Sequence, residues 1–172
     1  MQTTDWPTLL NVLVAFLGVG FACFAFVEWR KLRGLREEIR DVEKLLSQKL
    51  YANLKAAHRV MASYSLKNPD EKIALLESAV IQDPTTFNAY NSLGYAYLDK
   101  GETQKAVDAF SQAVFQHPDD KAGYCDLAYA HSRLGCDDLC VKYLRRAVSA
   151  DASALDDIRN DPRLCQFFEK IQ

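Results

Sequence analysis

Hydrophobic and polar positions divide the chain into three regimes. From Leu9 to Val27 almost every residue is apolar, LLNVLVAFLGVGFACFAFV, with Asn11 the only strongly polar side chain. From Trp29 to Ser65 apolar residues become periodic. Leu32, Leu35, Ile39, Val42 and Leu46 alternate steps of three and four, while Glu37, Glu38, Arg40, Asp41, Glu43 and Lys44 fill the other faces. From Asp70 onward apolar and small residues recur in short helical bursts punctuated by Pro, Gly and Asp. The first regime predicts a wholly apolar helix. The second predicts a long amphipathic helix, and the third a series of short packed helices.

Nineteen residues at a 1.5 Å rise span roughly 28 Å, close to the hydrocarbon thickness of a bilayer. Residues 9–28 are therefore expected to form a transmembrane helix after a short tail, 1–8. Trp6 and Trp29 bracket the run, as interfacial aromatics do. A cleaved signal peptide fits less well: no basic residues precede the run, it exceeds an h-region, and no small-x-small site precedes the charges.

Residues 29–66 are expected to continue as a juxtamembrane helix. Its apolar seam has two readings. It joins two chains as a homodimer through 32–46, or it packs on the remainder of the chain or on a membrane partner. Beyond Leu46 the stripe shifts to Leu50, Leu54, Ala57 and Met61, which are expected to face the helix beginning near Asp70.

The stretch Asn88 to Pro118, NAYNSLGYAYLDKGETQKAVDAFSQAVFQHP, reads as two helices and a tight turn. Ala89, Tyr90, Leu93 and Tyr97 mark one face, and Ala106, Phe110 and Ala113 mark the next. Gly101 stands where a left-handed residue ends the first helix, and Pro118 stops the second. Shifting the frame by 34 residues returns the pattern: Tyr124, Leu127, Gly135, Leu144 and Ala147 forward, Leu76, Ala79 and Pro84 backward. Asn68-Pro69-Asp70 opens the earlier helix, with Asn68 or Asp70 as its cap. Beyond Asp151 the frame fails at Pro162. A short helix at about 153–159 and another carrying Leu164, Phe167, Phe168 and Ile171 are expected instead.

This 34-residue punctuation resembles the tetratricopeptide repeat (TPR) family. Residues 87–120 match its pattern through Tyr90, Leu93, Gly94, Tyr97, Gly101, Ala106, Phe110, Ala113 and Pro118. Residues 121–152 match with Ala128, His131, Cys140 and Ala152 as substitutions, and 70–84 match a second helix alone. Together with the apolar run and the periodic stretch after it, the resemblance gives an expected all-α fold: an N-terminal transmembrane helix, a long juxtamembrane helix, and a short TPR superhelix over 67–152 with a C-terminal cap over 153–172.

Charge decides the expected orientation. Arg30, Lys31, Arg33, Arg36 and Arg40 follow the apolar run, and no basic residue precedes it. The positive-inside rule places the C-terminal part in the cytoplasm, or a stromal equivalent, with the N-terminus outside. Five cysteines without a disulfide-type spacing agree with a reducing compartment. A net charge of −2 gives no basic field for nucleic acid.

No catalytic constellation is visible, no cofactor is implied, and the chain is expected not to be an enzyme. His58, His117 and His131 neighbour no nucleophile. Cys125, Cys136, Cys140 and Cys165 lack paired metal-ligand spacing. Asp119-Asp120 and Asp137-Asp138 lack a calcium-loop pattern. No Gly-rich phosphate loop appears.

The TPR resemblance implies a concave face lined by the first helix of each hairpin. Its expected contact residues are Asn88, Asn91, Tyr95, Leu98 and Asp99 from one repeat, and Ala122, Cys125, Asp126, Tyr129, Ser132 and Arg133 from the next. Asparagines can pair with a peptide backbone, and tyrosines offer stacking surface. TPR proteins that clamp a chaperone's C-terminal carboxylate use basic residues where Ala122 and Asp126 stand here, so that likeness fails. By architecture the chain is similar to membrane-anchored TPR proteins of bacterial envelope biogenesis, and less closely to those that assemble photosystem I. The expectation is a membrane-tethered scaffold binding membrane proteins or peptides during assembly of a complex. Two alternatives stand. One is a permanent subunit held through the small residues Gly18, Gly20, Ala22 and Ala25. The other is a periplasm-facing quality-control factor.

Overall fold

The computed structural model describes residues 5–171. The first four residues of the expected N-terminal tail and Gln172 of the expected cap lie outside the described residues. In order come α1 (Trp6–Ser63), α2 (Pro69–Gln82), α3 (Ala89–Lys100), α4 (Thr103–Gln116), α5 (Lys121–Arg133), α6 (Asp137–Ala150) and α7 (Ala154–Asn160). A 3-10 turn (Cys165–Phe167) then runs into α8 (Phe168–Ile171). Among the described residues there is no strand.

The chain forms two units, one through Lys49 and one from Leu50 onward. The first is helix throughout from Trp6, three residues earlier than the apolar run predicts. Asp5 accepts from Thr8 Oγ1 at 2.7 Å and its carbonyl accepts the first helical N–H groups, which starts the helix before Leu9. The apolar residues of this unit are exposed, including Leu9 to Val27 and the seam Leu32, Leu35, Ile39, Val42 and Leu46. Phe26 stacks on Trp29 at 6.0 Å, and the Arg33 guanidinium lies 5.4 Å above the Trp29 ring.

In the second unit α3 packs on α4 and α5 on α6, while α2 and α4 stack on α3 and α5 respectively. Leu76, Leu93, Val107, Phe110 and Leu127 form the centre of the core. The Gly94–Phe110 contact fixes the α3–α4 hairpin. A Cβ at Gly94 would lie 2.6 Å from the Phe110 ring, so only glycine lets the two helices approach this closely. Gly101 ends α3 at φ 83°, with its own N–H on Leu98 O and that of Glu102 on Tyr97 O. Asn68 caps α2 by accepting from Asp70 N at 3.0 Å, with Pro69 in the first turn.

The end of α1 meets this core by a different face from the one its sequence marks. Ala56, Val60 and Ser63 are buried, while Leu50, Leu54 and Met61 stay exposed. Ala56 and Val60 belong to the same buried cluster as Leu76 and Ala79, and Asn53 donates to Asp83 Oδ2 at 3.0 Å.

At the other end Ile158, Leu164 and Phe167 bury against Cys140, Leu144 and Ala147 of α6. This covers the apolar side of the last hairpin, which would otherwise face water.

Candidate functional site

Residues from the end of α1, from α3, from α5 and from the α7–α8 connection meet along one face of the second unit. Near α1, Asn88 adopts the left-handed conformation at φ 61° just before α3. Its amide donates to Tyr64 Oη at 2.9 Å, and Tyr64 Oη lies 2.9 Å from Ser92 Oγ. An asparagine tolerates this backbone better than other side chains, and the bond to Tyr64 offsets part of its cost.

The centre of the face is Tyr95. Its ring stands edge-on to Phe110 at 5.2 Å, so core packing fixes its direction. Its hydroxyl donates to Asp126 Oδ1, one repeat further on. From the α7–α8 connection Arg163 reaches the same point. Its Nη1 donates to Tyr95 Oη at 3.2 Å, and its guanidinium lies 4.9 Å from the Tyr129 ring centre. Asp161 holds Arg163 in place, accepting from Nη2 at 2.6 Å, from Nε at 3.0 Å and from the Arg163 backbone N–H at 2.8 Å.

Electrostatics follow from burial. The Asp126 carboxyl is pushed up to about 6, first by burial and then by Asp120 and Asp161, against the opposing pull of Tyr95 and Arg163. The Tyr95 phenol rises to about 12, again first by burial and then by the Asp126 bond. The Cys125 thiol rises to about 12 through burial and the field of Asp126, Asp157 and Asp161. Asp161 is held below the usual carboxylate range by its Arg163 bonds, and Arg163 is raised by Asp161 in return.

The structure thus brings together Tyr95, Cys125, Asp126 and Tyr129 of the sequence-predicted set. Arg133 joins at the edge, its Nη1 donating to Tyr129 Oη at 3.2 Å. Ser132 turns back to Tyr129 O at 2.8 Å within its own helix. Leu98 packs against the core, and Asp99 pairs with Lys72 at 3.8 Å. Asn91, one turn before Tyr95 on α3, and Ala122 line a cleft of about 210 Å³ with Phe87, Tyr90, His117 and Asp120, where α3 begins and α4 ends. Phe87 is 80% exposed at its rim and stands edge-on to His117 at 6.3 Å.

Sequence reasoning missed Tyr64, Asp161 and Arg163. Tyr64 lies at the end of α1, outside the recognised frame. Asp161 and Arg163 flank Pro162, where the repeat pattern breaks, although Arg163 stands 34 residues after Tyr129 and 68 after Tyr95, a spacing that could have flagged it. Among the described residues no group of three or more His, Cys, Asp or Glu side chains is placed to share a metal ion.

A tetratricopeptide repeat family model matches residues 59–121 and 91–155, more than half of the chain. The chain belongs to the tetratricopeptide repeat family. The small glutamine-rich tetratricopeptide repeat-containing protein 2 of Saccharomyces cerevisiae is 36% identical over 64 residues, 37% of this chain. That match spans 17% of the yeast protein's length. A crystal structure of MamA superposes with a TM-score of 0.55 at 20% identity, covering 77% of this chain and 84% of MamA, which shows a common fold. TPR domains as a class are non-catalytic scaffolds for protein–protein interaction, and this TPR chain presents polar and aromatic side chains on a face suited to that use.

Proposed function

We propose that this TPR protein is a membrane-tethered scaffold whose repeat face binds protein partners during the assembly of a membrane complex. One observation carries the reading. The same chain holds an exposed helix long and apolar enough to cross a membrane, and a repeat domain with tyrosine, asparagine and aspartate on one face. A tether confines the search for partners to the membrane surface and raises their effective concentration there. The cluster from Arg30 to Arg40 supports a repeat domain on the cytoplasmic or stromal side.

The test is affinity capture from mild detergent with three proteins: the full chain, a chain starting at Leu32, and the full chain carrying Asn91→Ala and Tyr95→Phe. Tyr95→Phe keeps the ring on Phe110 and removes only the hydroxyl. Partners that persist without the apolar segment but vanish with the face variant support the scaffold. Partners that vanish without the segment and ignore the face variant identify a subunit held through Gly18, Gly20, Ala22 and Ala25, and sink the scaffold reading. Orientation has its own readout. Cys136 and Cys165 are exposed in the repeat domain, so a membrane-impermeant maleimide applied to intact cells should spare them. Labelling from outside would establish the periplasm-facing alternative.

A further inference from the structure

Arg163 sits on the repeat face as a ligand's side chain would. Its guanidinium covers the Tyr129 ring, donates to Tyr95 Oη and lies in the field of Asp126. It arrives from the connection after α7, beyond the last complete hairpin, where Asp161 holds it. Yet its side chain is still 39% exposed, so the occupant is docked rather than locked in. The aromatic plane, hydroxyl and buried carboxylate form a clamp whose chemistry matches a planar cation with several N–H donors, which is arginine rather than lysine.

We propose that this clamp receives an arginine side chain from a basic segment of a partner protein, and that Arg163 fills it in the free protein and must be displaced. The inference rests on the proposed use of the repeat face for partners, and it adds the partner's chemistry and a built-in competitor. Displacement is inexpensive on one side, because the Arg163 side chain is already 39% exposed and its guanidinium can rehydrate as it leaves. The occupant lowers the partner's apparent affinity by the fraction of time it fills the clamp. An arginine resident about nine-tenths of the time imposes about a tenfold penalty.

The experiment uses the full chain in nonionic detergent with fluorescent Gly-Ser peptides carrying three arginines, three lysines or three glutamates. Arg163→Ala should bind the arginine peptide about tenfold more tightly than the wild type, because the competitor is gone. Asp161→Asn, which removes the bonds that hold Arg163 in place while leaving every clamp side chain present, should shift affinity in the same direction by a smaller factor. Adding Asp126→Asn to Arg163→Ala should reverse the gain, with unchanged helical circular dichroism showing that the fold persists. The lysine peptide should bind more weakly than the arginine peptide, and the glutamate peptide not at all. Arginine-peptide binding unmoved by Arg163→Ala, or retained with Asp126→Asn, overturns the proposal. If partner capture still depends on Asn91 and Tyr95 in that case, only the arginine clamp falls. If capture ignores them too, the partner-binding role of the face falls with it.

Discussion

The hydroxyl of Tyr95 and the carboxylate of Asp126 meet across two successive repeats, 31 residues apart in the chain. Tyr95 is held from behind by Phe110, and Asp126 is buried at 9% exposure. A buried carboxylate with one neutral donor and a half-exposed arginine is undersolvated, and its pKa rises accordingly.

That rise has a sign. The folded pKa of Asp126 is about 6, above its ordinary 3.8, so the folded state holds the proton more tightly. The contribution is fully present below the ordinary value and is lost as pH rises through about 6. Tyr95, Arg163, Asp120 and Asp161 are the polar groups that face it. His131, lowered by burial, changes stability in the opposite sense over the same range, so the comparison must be with Asp126→Asn. Between pH 7 and pH 5 the wild type should gain about 1–2 kcal/mol relative to that variant in urea melts. An unchanged difference would show that water reaches the carboxylate freely.

Gly94→Ala should destabilise the repeat domain by about 1–3 kcal/mol, because its new methyl would lie 2.6 Å from the buried Phe110 ring. Gly123→Ala meets Val114 Cγ2 at 3.4 Å and Asp120 Oδ2 at 3.6 Å, ordinary contacts, and should change stability by less than about 1 kcal/mol. Thermal midpoints of the two variants side by side check the ordering. Equal effects would contradict the close approach of α3 and α4.

The face by which α1 joins the core can be read by paired substitutions. Val60→Asp places a carboxylate at a position 5% exposed and should cost about 2 kcal/mol or more. Met61→Asp, one residue on at 71% exposure, should stay within about 0.5 kcal/mol. The reverse order in denaturant titrations would restore the Leu50–Leu54–Met61 face.

Thiol reactivity should split the cysteines. Burial pushes Cys125 and Cys140 up to about 12, leaving little thiolate at pH 7.5. Cys136 and Cys165 are exposed. Alkylation followed by peptide mass spectrometry should label those two at least about tenfold faster, and Cys125 and Cys140 should react only on denaturation. Rapid labelling of Cys140 in the folded chain would mean that the contact of α6 with Ile158 and Leu164 opens readily.

The helices and their punctuation were legible in the sequence because they rest on local chemistry. Gly101 adopts the left-handed turn its position required, and Asn68 caps α2. Periodicity marks such positions wherever neighbouring repeats share one geometry. The family followed from that period, and the 9–27 run stood out because its apolar side chains are uninterrupted.

Tertiary structure alone decided which side of α1 is buried and what occupies the repeat face. An amphipathic stripe reports average polarity, whereas packing selects the face on which small Ala56 and hydrogen-bonding Asn53 fit against α2 and the turn after it. Likewise Arg163 stands 68 residues, two 34-residue periods, after Tyr95, but the repeat pattern has already broken at Pro162, so the frame alone did not announce their contact. Their contact exists because α7 folds back over α6 and the Asp161-Pro162-Arg163 turn is aimed by its own hydrogen bonds. Local sequence thus specifies each helix and its ends, while non-local contacts select the pairs of side chains that meet between helices.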